Sequence, residues 1–346
     1  MRRLAPLCLA LACGADTGTT TDTTTTGATT TSTTTSTTTS TTDIASTGPD
    51  ASTTDSAPTT AATTDASTTA AATTAAATTG STTGGDAVIV VDGLSHPESI
   101  LHDTVADIYL ISNINGAPDA ADDNGFIARV QPDGTIETLE WISGADMAVQ
   151  LDAPKGMAIV GDTLYVADLT VVRKFDRTTG AVLGQIALPG AVFLNDLSAD
   201  PKGRVHVSDN VANLVFRIAP DDTFTLEANQ PELAGPNGLV ADDFGVNIAT
   251  YDAANLVHID GVGPQPLVLA TLPMGGLDGL AHLDDGDWLV TSWDASAIYR
   301  VSSDFKTVEV AIPDLSSPAD IDIDRARKRV LVPLLLQDRA EFHPLP

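Results

Sequence analysis

A short phrase returns about every 41 residues through the second half of this chain, the period of a four-stranded blade. Its copies are Ala153-Pro154-Lys155-Gly156-Met157, Leu194-Asn195-Asp196-Leu197, Pro236-Asn237-Gly238-Leu239, Leu277-Asp278-Gly279-Leu280 and Pro318-Ala319-Asp320-Ile321. An earlier copy, His96-Pro97-Glu98-Ser99-Ile100, stands before them at a wider gap. A fixed period of this length filled with short strands predicts an all-β fold, a six-bladed β-propeller of four-stranded antiparallel blades. The consequence is geometric. Equivalent positions from every blade meet around one axis, so residues far apart in sequence become neighbours.

Each repeat has the same internal order. After the phrase comes a strongly β-prone strand rich in Val, Ile, Tyr and Trp, as at Thr163–Asp168 or Trp288–Trp293. A third strand alternates apolar and polar residues, as at Val171–Phe175 and Ile298–Val301, and a fourth closes the unit, as at Val182–Ala187 and Val308–Ile312. The last repeat runs out after three strands near Phe342. The apolar segment Ala87–Val91 precedes the first phrase and is expected to pair into the last blade. Such closure removes an open sheet edge. The wide first repeat carries an insert, Asn115 to Gly125, that reads as a loop. Its Asp119, Asp122 and Asp123 lack the spacing of an EF-hand, which leaves a solvated turn against a calcium site.

Composition divides the chain into three parts. Residues 1–13 read as a lipoprotein-type signal peptide: Arg2 and Arg3, a short apolar stretch from Leu4 to Ala12, then Cys13 as candidate lipidation site. Residues 14–85, almost all Thr, Ser, Ala, Asp and Gly, cannot bury enough surface to offset their ordering entropy and are expected to form a disordered stalk. Residues 86–346 are the propeller. The implied location is outside the cytoplasm, on a bacterial outer membrane or cell surface, or else periplasmic or secreted. The only membrane contact expected is the lipid anchor. Cys8 and Cys13 are the only cysteines, so the propeller has neither a disulfide nor a thiolate metal site. The formal net charge of −29 argues against nucleic acid, whose phosphates require basic patches, and favours cations. A closed ring needs no second copy to finish its core, so a monomer is expected.

The start of the innermost strand in each blade should ring one end of the central channel. That ring is Glu98, Lys155, Asn195, Asn237, Asp278 and Ala319. Asp168, Asp209, Asp252 and Asp294, at the ends of second strands, are expected behind or between them. Two carboxylates and two amides converging on a point suit a hard cation. The alternative is that Asn and Asp merely bond local backbone in turns, but a structural device would repeat one residue type, and here the six positions differ in kind. Lys155 either neutralises the acidic rim or meets an anionic group of a ligand. His206, His258 and His282 have no ligand spacing, and no serine-hydrolase elbow, P-loop or dinucleotide fingerprint occurs. Trp141, Trp288 and Trp293 read as blade packing.

The succession Pro97-Glu98, Leu194-Asn195-Asp196, Pro236-Asn237-Gly238-Leu239 and Leu277-Asp278-Gly279-Leu280 resembles the gluconolactonase, or regucalcin (senescence marker protein), family over essentially all of residues 87–346. Phrases such as Ser112-Asn113-Ile114-Asn115-Gly116 look like an exported bacterial branch of it. The resemblance implies one divalent cation in the channel, calcium first and zinc or manganese as alternatives. Its ligands would be Glu98, Asn237 and Asp278, with Asn195 approaching both metal and substrate. It implies hydrolysis of a sugar lactone or similar cyclic ester, with Asp278 as general base. The chain departs from the characterised lactonases in following Glu98 with Ser99-Ile100 and in carrying Lys155. The competing reading is a non-catalytic propeller on a lipid-anchored stalk that binds a small lactone, a sugar-derived ligand or a protein. A third is a cation held purely for stability.

Overall fold

The computed structural model describes residues 87–260 and 265–346. The signal peptide, Cys13 and the stalk lie outside the described residues. The described chain forms six four-stranded antiparallel sheets in sequence order. Blade 1 runs Pro97–Asp103, Ile108–Asn113, Phe126–Val130 and Ile136–Ser143. The innermost strands of the next four blades are Pro154–Val160, Leu194–Ala199, Pro236–Ala241 and Leu277–His282. Blade 6 opens along Pro318–Ile321 and pairs formally from Asp322–Asp324. The sequence-based strands Thr163–Asp168, Val182–Ala187 and Val308–Ile312 are found with those limits.

Ring closure is as the sequence implies. Ile89–Asp92 is the outer strand of blade 6 and pairs antiparallel with Arg339–Pro344, Ile89 opposite Phe342 and Val91 opposite Ala340. At the axis the same two blades are joined by a parallel bridge between Ser99 and Asp320. The two ends of the described propeller are thereby locked together at both the outside and the inside of the ring.

The core is divided among the seams between blades. Val91, Ile100, Tyr109, Ile111, Phe126 and Phe342 pack the seam of blades 6 and 1. Ala158, Tyr165, Val172, Val205, Val207 and Phe216 pack that of blades 2 and 3. Second strands are buried on both faces because each is sandwiched between neighbouring blades: Ile108–Asn113, Val205–Asp209 and Trp288–Ser292 are buried throughout. That explains their nearly continuous apolar runs. Outermost strands face water and alternate poorly, as at Val182–Ala187.

Candidate functional site

Five innermost strands begin with an equivalent cross-strand pair: Pro97 with Asn113, Pro154 with Asp168, Leu194 with Asp209, Pro236 with Thr250 and Leu277 with Ser292; an isolated bridge of Pro318 with Leu334 is its counterpart in blade 6. In all five blades the register slips at the next residue. A bulge leaves its residue out of the ladder and re-aims its side chain. The first residues so released are Glu98, Lys155, Asn195, Asn237 and Asp278; in all but the first of these blades the next residue, Gly156, Asp196, Gly238 or Gly279, leaves the ladder with it. The glycines that follow some of them let adjacent inner strands approach closely. A Cβ on Gly238 would stand 2.1 Å from the Asp278 carbonyl oxygen, and one on Gly279 would stand 2.6 Å from the Ile321 nitrogen.

The rim side chains are buried: Glu98, Lys155, Asn195, Asn237 and Asp278 are each at most 7% exposed. Their convergence is visible in their electrostatics. Burial pushes the Glu98 carboxyl well above its ordinary range, and Asp278 and Asp196 push it further while Lys155 opposes them. Burial raises Asp278 to about 7, against the stabilising hydrogen bond from Trp293. Among the described residues, nine buried side-chain nitrogen or oxygen atoms have no hydrogen-bond partner. Four of them are Glu98 Oε2, Asn195 Oδ1, Asn237 Oδ1 and Asp278 Oδ1. Buried oxygens without a partner are rare in native proteins because desolvation is uncompensated. Four on one ring, two anionic and two neutral, fit the donor set of a hard divalent cation. No group of three or more His, Cys, Asp or Glu gathers as a metal cluster among the described residues; the set here depends on its two amides.

Trp293 is a site residue that sequence reasoning assigned to packing. Its Nε1 donates to Asp278 Oδ2 at 2.8 Å, leaving Oδ1 as the free oxygen. Trp288 does pack, stacked on His282 at 4.3 Å between ring centroids.

Lys155 is committed to the backbone. Its Nζ donates to Ala153 O at 2.9 Å and to Pro118 O at 3.0 Å, and lies 4.3 Å from the centre of the Phe193 ring. Desolvation lowers its pKa to about 8. The position of Ala153 O is instructive. In the other five blades the equivalent carbonyl, two residues before the rim residue, accepts from the backbone N–H just past the second strand: Ile114 to His96, Asn210 to Phe193, Tyr251 to Gly235, Trp293 to Gly276 and Leu335 to Ser317. In blade 2 the lysine takes that carbonyl and extends the bond to Pro118 in the insert, tying the insert against the rim. The acidic residues of the insert turn to its own surroundings: Asp122 accepts from Asn124, and Asp123 from the Leu151 N–H.

The second-strand acids divide in two. Asp168 and Asp209 are fully buried and hold the loops entering the rim, Asp168 through the N–H groups of Asp152 and Ala153, Asp209 through those of Val192 and Phe193. Asp252 and Asp294, expected to be their equivalents, lie two residues beyond their strands and are exposed. The register equivalents in those blades are Thr250 and Ser292. A two-residue offset in the turn is invisible in the spacing of acidic residues.

One residue further along the inner strands lies a second ring that sequence analysis did not single out. Ser99 Oγ donates to Asp320 Oδ2 at 2.7 Å, and Asp320, kept protonated by burial, donates in turn to Asp196. Asp196 also accepts from the N–H groups of Leu197 and Leu239, both at 2.6 Å. Gly156 makes room for it, since a Cβ there would stand 2.4 Å from Asp196 Oδ1. Burial raises Asp196 to about 7 and Asp320 well above the carboxylate range. Below this ring the channel widens into a cavity of about 430 Å³ that opens towards His102 and Arg177 on the opposite face.

No family model and no curated protein sequence matches the chain. Solved structures do resemble it. A putative gluconolactonase is similar with TM-score 0.57 and 13% identity, over 74% of this chain and 92% of that one. A gluconolactonase from Xanthomonas campestris is similar with TM-score 0.52 and 16% identity, over 74% and 97%. A streptogramin B lyase is similar with TM-score 0.56 and 12% identity, over 74% and 96%. At these identities the likeness establishes the six-bladed fold, which hosts both hydrolytic and lyase neighbours.

Proposed function

We propose that the domain is a metal-dependent hydrolase that opens a sugar lactone or similar cyclic ester at the rim of its channel. The observation carrying this reading is the set of partnerless buried oxygens on Glu98, Asn195, Asn237 and Asp278. Calcium suits that set best, with zinc or manganese as alternatives. A cation held there supplies Lewis-acid polarisation of an ester carbonyl. The chain's own residues do the remaining work. Trp293 fixes Asp278 through Oδ2, so the carboxylate meets a bound water in one orientation. Asp278, held ionised beside the cation, would take the water proton as the water oxygen adds to the acyl carbon. The acyl–oxygen bond of the ring then breaks, the proton passes to the departing ring oxygen, and a hydroxy acid leaves. Asn195 contributes to both cation and substrate. Lys155 serves by holding the insert against the rim, its ammonium being occupied by carbonyls.

The setting we propose is an exported lipoprotein anchored through Cys13. Metabolic labelling with palmitate, lost on Cys13→Ser, is the expected result.

Calorimetric titration of calcium into the metal-stripped protein tests the site. One binding site, lost in Asp278→Ala, is expected. Lactone hydrolysis should then fall by about 10²–10⁴-fold in Asp278→Asn with the circular dichroism unchanged. Undiminished turnover in that variant would remove Asp278 from the mechanism.

A further inference from the structure

The loops around the rim carry more information about the substrate than the rim itself. Two half-buried aromatic rings touch site residues directly. Phe193 lies under the Lys155 ammonium and Trp293 holds Asp278. The loops bearing these rings also expose large apolar side chains: Val192 is 54% exposed, Val211 55% and Met274 46%. All three sit on loops at the rim end of their blades. Val192 precedes Phe193, the Asn210 N–H beside Val211 bonds Phe193 O, and Met274 lies two residues before Gly276, whose carbonyl accepts from Trp293. Exposed apolar side chains on the loops around a polar site offer contacts to a ligand.

The charge of this face points the same way. Asp119, Asp146, Asp252, Asp294, Asp314 and Asp338 are exposed on its loops. The cations of these loops and strand starts are engaged: Lys155 by carbonyls, Arg173 by Asp168 and Arg339 by Glu341. A field of one sign at a cleft repels ligands of that sign. Among the described residues, no free lysine or arginine of this face is placed to meet a carboxylate or phosphate on the substrate.

Resting on the hydrolytic reading of the rim, we infer that the substrate is an uncharged lactone bearing an alkyl or aryl substituent, with the ring ester at the rim and the substituent against Phe193, Trp293 and Met274. Anionic lactones fit this mouth poorly. The reaction is the same ring opening by water, and only the group carried by the lactone ring is newly specified.

The test compares δ-decalactone with glucono-δ-lactone on the full chain in calcium, reading both turnover, by proton release, and binding, by tryptophan fluorescence. The expected result is a kcat/KM for the alkyl lactone about tenfold or more above that for the sugar lactone. Met274→Ser and Val192→Ser should raise KM for the alkyl lactone by roughly three- to tenfold with kcat held, and leave the sugar lactone unaffected. Equal or better turnover of the sugar lactone would overturn the inference while leaving the hydrolytic reading intact. If neither lactone is turned over, the hydrolytic reading fails, and fluorescence then decides the mouth. Saturable binding of the alkyl lactone that weakens in Met274→Ser supports an apolar ligand. A response to glucono-δ-lactone alone, or to neither compound, overturns it.

Discussion

Two rings of side chains, one residue apart on the same strands, are equally buried and equally rich in oxygen, yet they are satisfied in opposite ways. In the lower ring, Ser99, Asp196 and Asp320 form a chain of hydrogen bonds that also takes up the N–H groups of Leu197 and Leu239. In the rim, four oxygens meet nothing. A buried polar network that is fully satisfied holds a structure together, whereas a buried donor set left open is costly unless something fills it. The pair teaches that acidity at a channel axis is not in itself a metal site. What separates the rings is partnering: the bulge frees Asn195 and Asp196 alike, but Asp196 finds backbone N–H groups while the rim oxygens of Glu98, Asn195, Asn237 and Asp278 find none.

The contrast is broken most directly by removing one carboxylate from each ring. Asp278→Ala should weaken calcium binding more than roughly a hundredfold, since losing a ligand exceeds the cost of losing its outer partner. Without calcium its melting temperature should hold or rise, because an uncompensated buried carboxylate is gone. Asp196→Ala should do the reverse. It strands the N–H groups of Leu197 and Leu239, a loss of about 2–4 kcal/mol, and lowers the melting temperature by about 5–10 °C. Calcium titrations and thermal melts of the two variants side by side give the crossed pattern; a parallel pattern would mean that the rings act as one unit.

The fold was largely legible in the sequence, and the site only in part. The 41-residue phrase, the three-strand final repeat and the apolar segment near Val91 were enough for six blades and their closure. The rim positions followed because a propeller maps equivalent residues onto one axis. What escaped depends on relations that residue identity does not encode. The bulge is a matter of register. The Trp293 contact with Asp278 needs two turns to meet, and Trp is a good packing residue in any strand. Asp252 and Asp294 looked like Asp168 and Asp209, but Thr250 and Ser292 occupy that place because the acids sit two residues later, in the turns. Lys155 was read as either a charge balance or a ligand contact, and its partners proved to be carbonyls, which have no sequence signature.

A change of pH sharpens the comparison without a mutation. Asp278 and Asp196 reach about 7 in the folded protein, above the value of about 4 of an unfolded chain. Between those values the folded state binds more protons than the unfolded one, so the stability these two groups contribute falls as pH rises through the window, and Glu98 and Asp320, also raised by burial, add to the loss in the same direction. In chelator the melting temperature should therefore drop by about 5 °C or more between pH 5 and pH 8. Calcium requires the rim carboxylates ionised, so it should remove the part of the drop owed to Asp278 and leave the part owed to Asp196. Over the same range calcium affinity should rise with pH and binding should release protons, which calorimetry in buffers of different ionisation enthalpy measures.

The smallest expected effect separates the rim from its support. Trp293→Phe keeps an aromatic ring on the mouth and deletes only the N–H that holds Asp278 Oδ2. An outer partner of this kind typically tunes a site by about tenfold, so calcium affinity should fall by about that factor and the melting temperature without calcium should barely move. The same substitution reports on itself. If Trp293 is the tryptophan in contact with the site, the calcium-dependent change in fluorescence should vanish in Trp293→Phe and persist in Trp288→Phe, whose ring stacks on His282 away from the rim. A calcium affinity unchanged in Trp293→Phe would mean that the bulge alone orients Asp278, and that the indole belongs to the mouth rather than to the cation's support.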